Sequence, residues 1–249
     1  MDFIDSHIHL QDYKQNCATD IIASALKAGA KRLVCASVLA NDWDKVAAFY
    51  HKYPDIIVPA FGLHPWYLDK QEGEWEERLE QKLKDFPQAL VGESGIDAFR
   101  HKEKEPQLTT FKKHIALAKK YNRPLIIHAV KASEWLNECW NIMPQKFVLH
   151  SFNARLDLLN KSLSRGGYIS FSASILRNRD KESIIRTIPS DKLLIETDGP
   201  YQAVEQNKES NPATDIPWLI EKLAEIRQET SNYLSMQIYK NSLEFIRTW

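Results

Sequence analysis

The sequence predicts an α/β protein built as one (β/α)8 (TIM) barrel domain over residues 1–249, and three observations lead there. Short β-branched or apolar runs alternate eight times with longer amphipathic stretches, the rhythm of repeated βα units. At 249 residues the chain can bury a large core, and no Pro/Gly linker, internal repeat or low-complexity tract divides it. Imidazole and carboxylate side chains recur where the apolar runs end, and in such a barrel those C-terminal strand ends meet at one mouth.

The expected strands are residues 3–8, 32–37, 57–62, 89–93, 125–128, 147–150, 168–171 and 193–196. Between them lie helical patterns such as residues 107–121, where Leu108, Phe111, Ile115 and Ala118 recur at spacings of three or four with lysines mainly opposite. Residues 216–227 and 231–247 read as two final helices, with Pro217 at the start of the first. The second exceeds the eight-unit count and is expected to cap one end of the barrel. Residues 201–212, rich in Gln, Asn, Glu and Lys, follow the eighth strand directly and are expected to lie over its end.

Composition narrows the function classes. Hydrophobic residues at 43% and charged residues at 27% exclude a disordered or collagen-like chain. Lys plus Arg and Asp plus Glu balance at 33 each, so there is no global positive field to gather nucleic acid. An anionic substrate must be held locally. No apolar run approaches the roughly 20 residues that span a bilayer, and the first ten residues lack the basic and apolar regions of an export signal. A cytoplasmic location is expected, with no membrane and no obligate protein partner. Cys17, Cys35 and Cys139 are odd in number, far apart and in no metal-binding pattern, so they are expected to be structural thiols.

The chemistry lies at the strand ends. Asp5, His7 and His9 are spaced by two, which points all three to the barrel interior. Glu93 closes the fourth strand, His128 the fifth and His150 the sixth, while Asp198 follows the eighth by two residues. A lone His or Glu at a loop mouth is ordinarily just solvated; six convergent donors are not. Four imidazoles and two carboxylates exceed one tetrahedral ion but suit two divalent ions about 3.5–4 Å apart, with Glu93 as the natural bridge. The donor set does not separate Mg, Mn and Zn. Asp5 is expected to support a ligand His as an acceptor rather than bind metal itself.

The segments DSHIHL, GLHPWY, VGESGID, IHAVKA, HSFNA and ETDGPY, in this order, closely resemble the TatD-like deoxyribonuclease family of metal-dependent hydrolases, and the resemblance runs from residue 2 to the C-terminus. It implies that His7, His9, Glu93 and Asp198 hold one ion while Glu93, His128 and His150 hold the other. It also implies phosphodiester hydrolysis, with DNA or a smaller phosphoester as substrate. In that reaction a water would attack phosphorus and Asp198 would accept its proton.

His64, at the end of the third strand, is placed to donate to a phosphate or leaving oxygen, and Lys131 and Tyr201 are weaker candidates for substrate contact. Trp66, Tyr67, Phe99, Phe152 and Tyr201 sit just beyond strand ends and could stack bases or line a pocket. Trp135, Trp140 and Trp218 are expected to pack in the outer shell. Two family positions depart: the Arg commonly found two residues after His128 is Val130, and the late Arg-Asn-x-Pro segment reads Glu209-Ser210-Asn211-Pro212. The alternative on the same donors is hydrolysis of another small-molecule ester, amide or lactone. A retired, non-catalytic barrel would have lost ligands, and all six remain.

Overall fold

Alternation along the strands decides which residues face inward, and it yields two apolar layers. The computed structural model describes residues 1–13, 17–70, 73–202 and 212–247. Its sheet has eight strands in chain order: β1 (Phe3–Ile8), β2 (Ala30–Ala36), β3 (Ile57–Phe61), β4 (Leu90–Asp97), β5 (Leu125–Val130), β6 (Phe147–Leu149), β7 (Tyr168–Phe171) and β8 (Leu193–Ile195). Every neighbouring pair is parallel. The seam between β8 and β1 is closed by a single bridge, Ile8 to Gly199, with His9 N–H donating to Gly199 O at 2.8 Å and Asp198 N–H to His7 O at 2.9 Å.

The inner layer includes Ile4, Val34, Val58, Leu90, Ile126, Val148 and Leu194, all buried inside the ring. The outer layer fills the space between strands and helices. Those helices are α1 (Cys17–Ala28), α2 (Trp43–Lys52), α3 (Trp75–Asp85), α4 (Lys104–Lys120), α5 (Ser133–Leu136), α6 (Leu156–Ser164), α7 (Lys181–Thr187), α8 (Ile216–Arg227) and α9 (Ser231–Ile246). On α4 the expected Leu108, Phe111, Ile115 and Ala118 are the buried stripe. Thr230 caps α9 by accepting from Tyr233 N–H at 3.2 Å. At its other end Phe245 and Ile246 pack against the inner layer, so α9 caps the barrel as expected. Burying Phe245 there is worth about 2 kcal/mol.

Expected and observed strands differ mainly in β4. It runs four residues past Glu93, through Ser94, Gly95, Ile96 and Asp97. Gly95 makes this possible: its φ is +152°, and a Cβ there would stand 2.0 Å from the His128 carbonyl oxygen. The close approach sets Gly95 opposite His128 and Asp97 opposite Val130. Trp140 is buried and Trp135 half-buried, as expected, but Trp218 is 37% exposed on the solvent side of α8 and is not packing. Cys35 and Cys139 are buried free thiols. Among the described residues no helix is long and apolar enough to cross a membrane. Most of the loop expected over the mouth, residues 203–211, lies outside the described residues, as do Glu209, Ser210 and Asn211.

Candidate metal centre

The strand ends bring all six expected donors together around Glu93. Its Oε1 lies 2.7 Å from His150 Nε2 and 3.0 Å from His128 Nδ1. Its Oε2 lies 3.2 Å from His7 Nε2 and 3.4 Å from His9 Nε2. Asp198, three residues beyond β8, places Oδ1 3.3 Å from His9 Nε2 and 3.7 Å from His7 Nε2. The two Nε2 atoms of His7 and His9 are themselves 3.0 Å apart. One carboxylate oxygen thus serves each half of the cluster. Among the described residues, His7, His9 and Asp198 form one group with donor atoms all within 4.8 Å, and His7, Glu93 and His150 another.

The far side of each ring shows which nitrogen is free to act. His9 Nδ1 faces Ala36 O at 2.8 Å, and a carbonyl only accepts, so that nitrogen carries the proton. His150 Nδ1 faces Glu196 Oε1 at 3.3 Å and His128 Nε2 faces Asp97 Oδ2 at 3.2 Å. Each of the three rings thus has an outward acceptor for one N–H, and a proton placed there leaves the other nitrogen's lone pair inward, toward carboxylate oxygens. Lone pairs facing lone pairs repel, so each inward nitrogen requires either a proton or a cation. This is how carboxylates and carbonyls orient metal-ligating imidazoles, and the donor set fits divalent metal. His7 stacks on His150 at 4.1 Å, and its Nδ1 is buried without a hydrogen-bond partner.

His64 is arranged the opposite way. The backbone N–H of Trp66 donates to His64 Nδ1 at 3.1 Å, which leaves the ring proton on Nε2, 3.2 Å from Glu93 Oε1. Although His64, Glu93 and His128 also cluster within 4.8 Å, His64 presents a donor hydrogen rather than a lone pair. Burial keeps it neutral, with its pKa pushed down to about 4 despite Glu93.

The electrostatics follow from a buried anion among imidazoles. Burial opposes charge on Glu93, yet His150, His64 and His7 hold it well below the usual carboxylate range. Burial likewise disfavours charged His150, but Glu93 and Glu196 pull it well above the ordinary imidazole range. His9, desolvated but bonded to Asp198, rises to about 9. A potential that favours protons on these nitrogens also favours a metal cation, which competes for the same lone pairs.

Three supporting residues escaped the sequence reading. Asp97 accepts from Trp66 Nε1 at 2.6 Å and from the backbone of Phe99 and Arg100 at 3.0 and 2.8 Å, besides facing His128. Its spacing of four from Glu93 was a signal, hidden by ending β4 too early. Glu196 orients His150 and also accepts from Ser151 N–H at 2.6 Å. Gln202 donates to Asp198 Oδ2 at 2.5 Å, and nothing in its neighbourhood in sequence announces that. Asp5 supports the ligand residue His7 through its backbone rather than its ring. It bonds no imidazole but accepts from the backbone of His7 and Thr197 and from Thr197 Oγ1 at 2.7 Å, because its short side chain reaches the chain crossing before it reaches a ring.

The donors open into a cavity of about 330 Å³, walled by Trp66, Tyr67, Val130 and Tyr201 among others. Tyr201 donates to Asp12 at 3.1 Å across the mouth. Lys131 does not line the cavity; its ammonium lies over the Phe99 ring, 4.7 Å from the centroid. Phe152 is buried and is packing, not a base platform.

Fold and donor set together define a barrel hydrolase of the metal-dependent class. The profile of the family described as TatD related DNase matches residues 4–247, and the chain belongs to that family. It is 26% identical to the human deoxyribonuclease TATDN3 over 84% of this chain and 82% of that one. It is also 26% identical to the 3'-5' ssDNA/RNA exonuclease TatD of Edwardsiella piscicida, over 91% and 92% of the two chains. The crystal structure of YjjV, a TatD homologue from Escherichia coli, superposes with a TM-score of 0.88 at 25% identity, covering 98% of this chain and 97% of that one.

Proposed function

We propose that the protein hydrolyses phosphodiester bonds, in DNA or in a smaller phosphoester, at a centre that holds two divalent ions. The observation that carries this reading is the orientation of His9, His128 and His150, each with its outward nitrogen facing an acceptor and its inward nitrogen aimed at the carboxylates. His7, His9, Asp198 and Glu93 Oε2 would hold one ion, and His128, His150 and Glu93 Oε1 the other. Ions held there would neutralise phosphoryl charge and acidify an attacking water. Asp198, ionised and held by Gln202 through Oδ2, accepts the proton of that water. His64, kept neutral with its proton on Nε2, donates to a phosphoryl or leaving oxygen. Tyr201 and Trp66 shape the cavity in which the ester sits.

The test is turnover of single-stranded DNA, a chromogenic phosphodiester, a phosphomonoester and an amide, before and after chelation. Chelation is expected to abolish phosphodiester turnover, and added Mg, Mn or Zn to restore it. Full activity in metal-free protein, or turnover of the amide alone, refutes the reading.

A further inference from the structure

We propose that the rim formed by Phe99, Arg100, Lys102 and Lys131 is a second binding site, which takes an unpaired nucleotide of a single-stranded nucleic acid beside the catalytic cavity. The inference rests on the phosphodiesterase reading and names its substrate class. Phe99 is 60% exposed, an unusual position for a large aromatic ring, and it follows Asp97 by two residues at the end of β4. The Lys131 and Lys102 ammoniums lie 4.7 and 5.8 Å from its centroid. The Arg100 guanidinium lies 4.1 Å from the centroid of Trp66, which walls the cavity.

These cations differ from most of their neighbours. On the adjoining α3 and α4, Lys82, Lys104, Lys112, Lys113 and Lys120 each pair with a carboxylate. Arg100, Lys102 and Lys131 are exposed and, among the described residues, none of the three is in an ion pair. A chain of zero net charge therefore sets two unpaired cations over the open Phe99 ring and a third over the neighbouring Trp66. They also answer the departure at Val130: the positive charge absent there stands on the neighbouring loops. None of the four residues lines the cavity, so a small ester seated there does not need them, whereas a strand longer than the cavity extends beyond it. An exposed cation–π contact is weaker than base stacking, so a base can take the ring face while the ammoniums move to its phosphates. Duplex DNA hides its base faces and cannot use Phe99.

Binding is measured by fluorescence anisotropy of labelled, hydrolysis-resistant phosphorothioate oligothymidylate and oligouridylate, each about ten nucleotides long, on metal-loaded protein. Phe99→Ala is expected to raise Kd about ten-fold for both strands, and Phe99→Trp to restore binding. Lys102→Gln is expected to make the slope of log K against log salt shallower by about 0.7. Thermal melts establish that the variants are folded. Unchanged Kd in Phe99→Ala and unchanged slope in Lys102→Gln overturn the proposal, as does parent protein that binds duplex as tightly as single strands. If the parent turns over a chromogenic phosphodiester but binds no strand, the rim fails and the phosphodiesterase reading stands. If it turns over neither substrate, the catalytic reading fails, and the binding comparison still decides the rim.

Discussion

His114 gives a pH prediction that is independent of the metal centre. It lies on α4, fully buried, with Nδ1–H donated to Thr110 O at 2.8 Å and Nε2 accepting Leu63 N–H at 3.1 Å, and it stacks on Trp75. Burial pushes its pKa down from 6.5 to about 4, against the help of the Thr110 carbonyl. Between these values the unfolded chain binds a proton that the folded protein refuses. Stability is therefore complete above pH 6.5 and is lost as pH falls through the window, by about 1.4 kcal/mol per unit once the unfolded site is protonated. At pH 5 the accumulated loss is about 2 kcal/mol. The assay is urea unfolding of the parent and His114→Gln between pH 7.5 and 5. Other titrating groups are common to both proteins and cancel in the difference. The gap between the two stabilities should shrink by about 2 kcal/mol over this range; parallel curves would show that His114 titrates normally and refute the reasoning.

Three further outcomes test the centre itself. Asp198→Asn is nearly isosteric and should keep the fold, yet lower kcat for phosphodiester by about 10²–10⁴-fold, the usual worth of a positioned base; a kcat within a few-fold of the parent would require another base. His128→Ala should lower bound metal by about one ion per chain, whereas Glu93→Ala should lose nearly all of it. Elemental analysis that finds equal stoichiometries in those two variants favours a single ion. Asp97→Asn should weaken metal affinity about 10–100-fold, measured by competition with a chelating dye, because His128 loses the acceptor that orients it.

The barrel was legible because its βα rhythm is set by apolar periodicity, which local sequence records directly. Five of the six candidate donors were legible because strand alternation and strand ends fix where His7, His9, Glu93, His128 and His150 point, and Asp198 because it follows the eighth strand closely. What sequence could not show was contact across the fold. Asp97 meets His128 only because β4 runs on beyond Glu93, with Gly95 letting β5 close in on it. Gln202 meets Asp198 through a left-handed turn, at φ +57°, that no local pattern marks. Lys131 stands beside Val130, where the family Arg is absent, yet its left-handed backbone, at φ +48°, accompanies a side chain laid over Phe99 outside the cavity. Asp5 holds His7 by its backbone N–H, a contact that residue spacing does not distinguish from one to the ring.

The seam between β8 and β1 bears on how the molecule comes into being. Asp5 and Thr197, which clasp that seam, are separated by 192 residues. A ribosome therefore releases His7 and His9 long before the segment carrying Asp198, and the nascent chain holds only fragments of a hydrolytic centre until its eighth strand emerges. Ring closure requires the most distant pairing in the sheet, the kind of contact that slows folding. The seam is closed by the same segment that brings Asp198 beside His7 and His9, and a chain that stops before Asp198 makes neither contact.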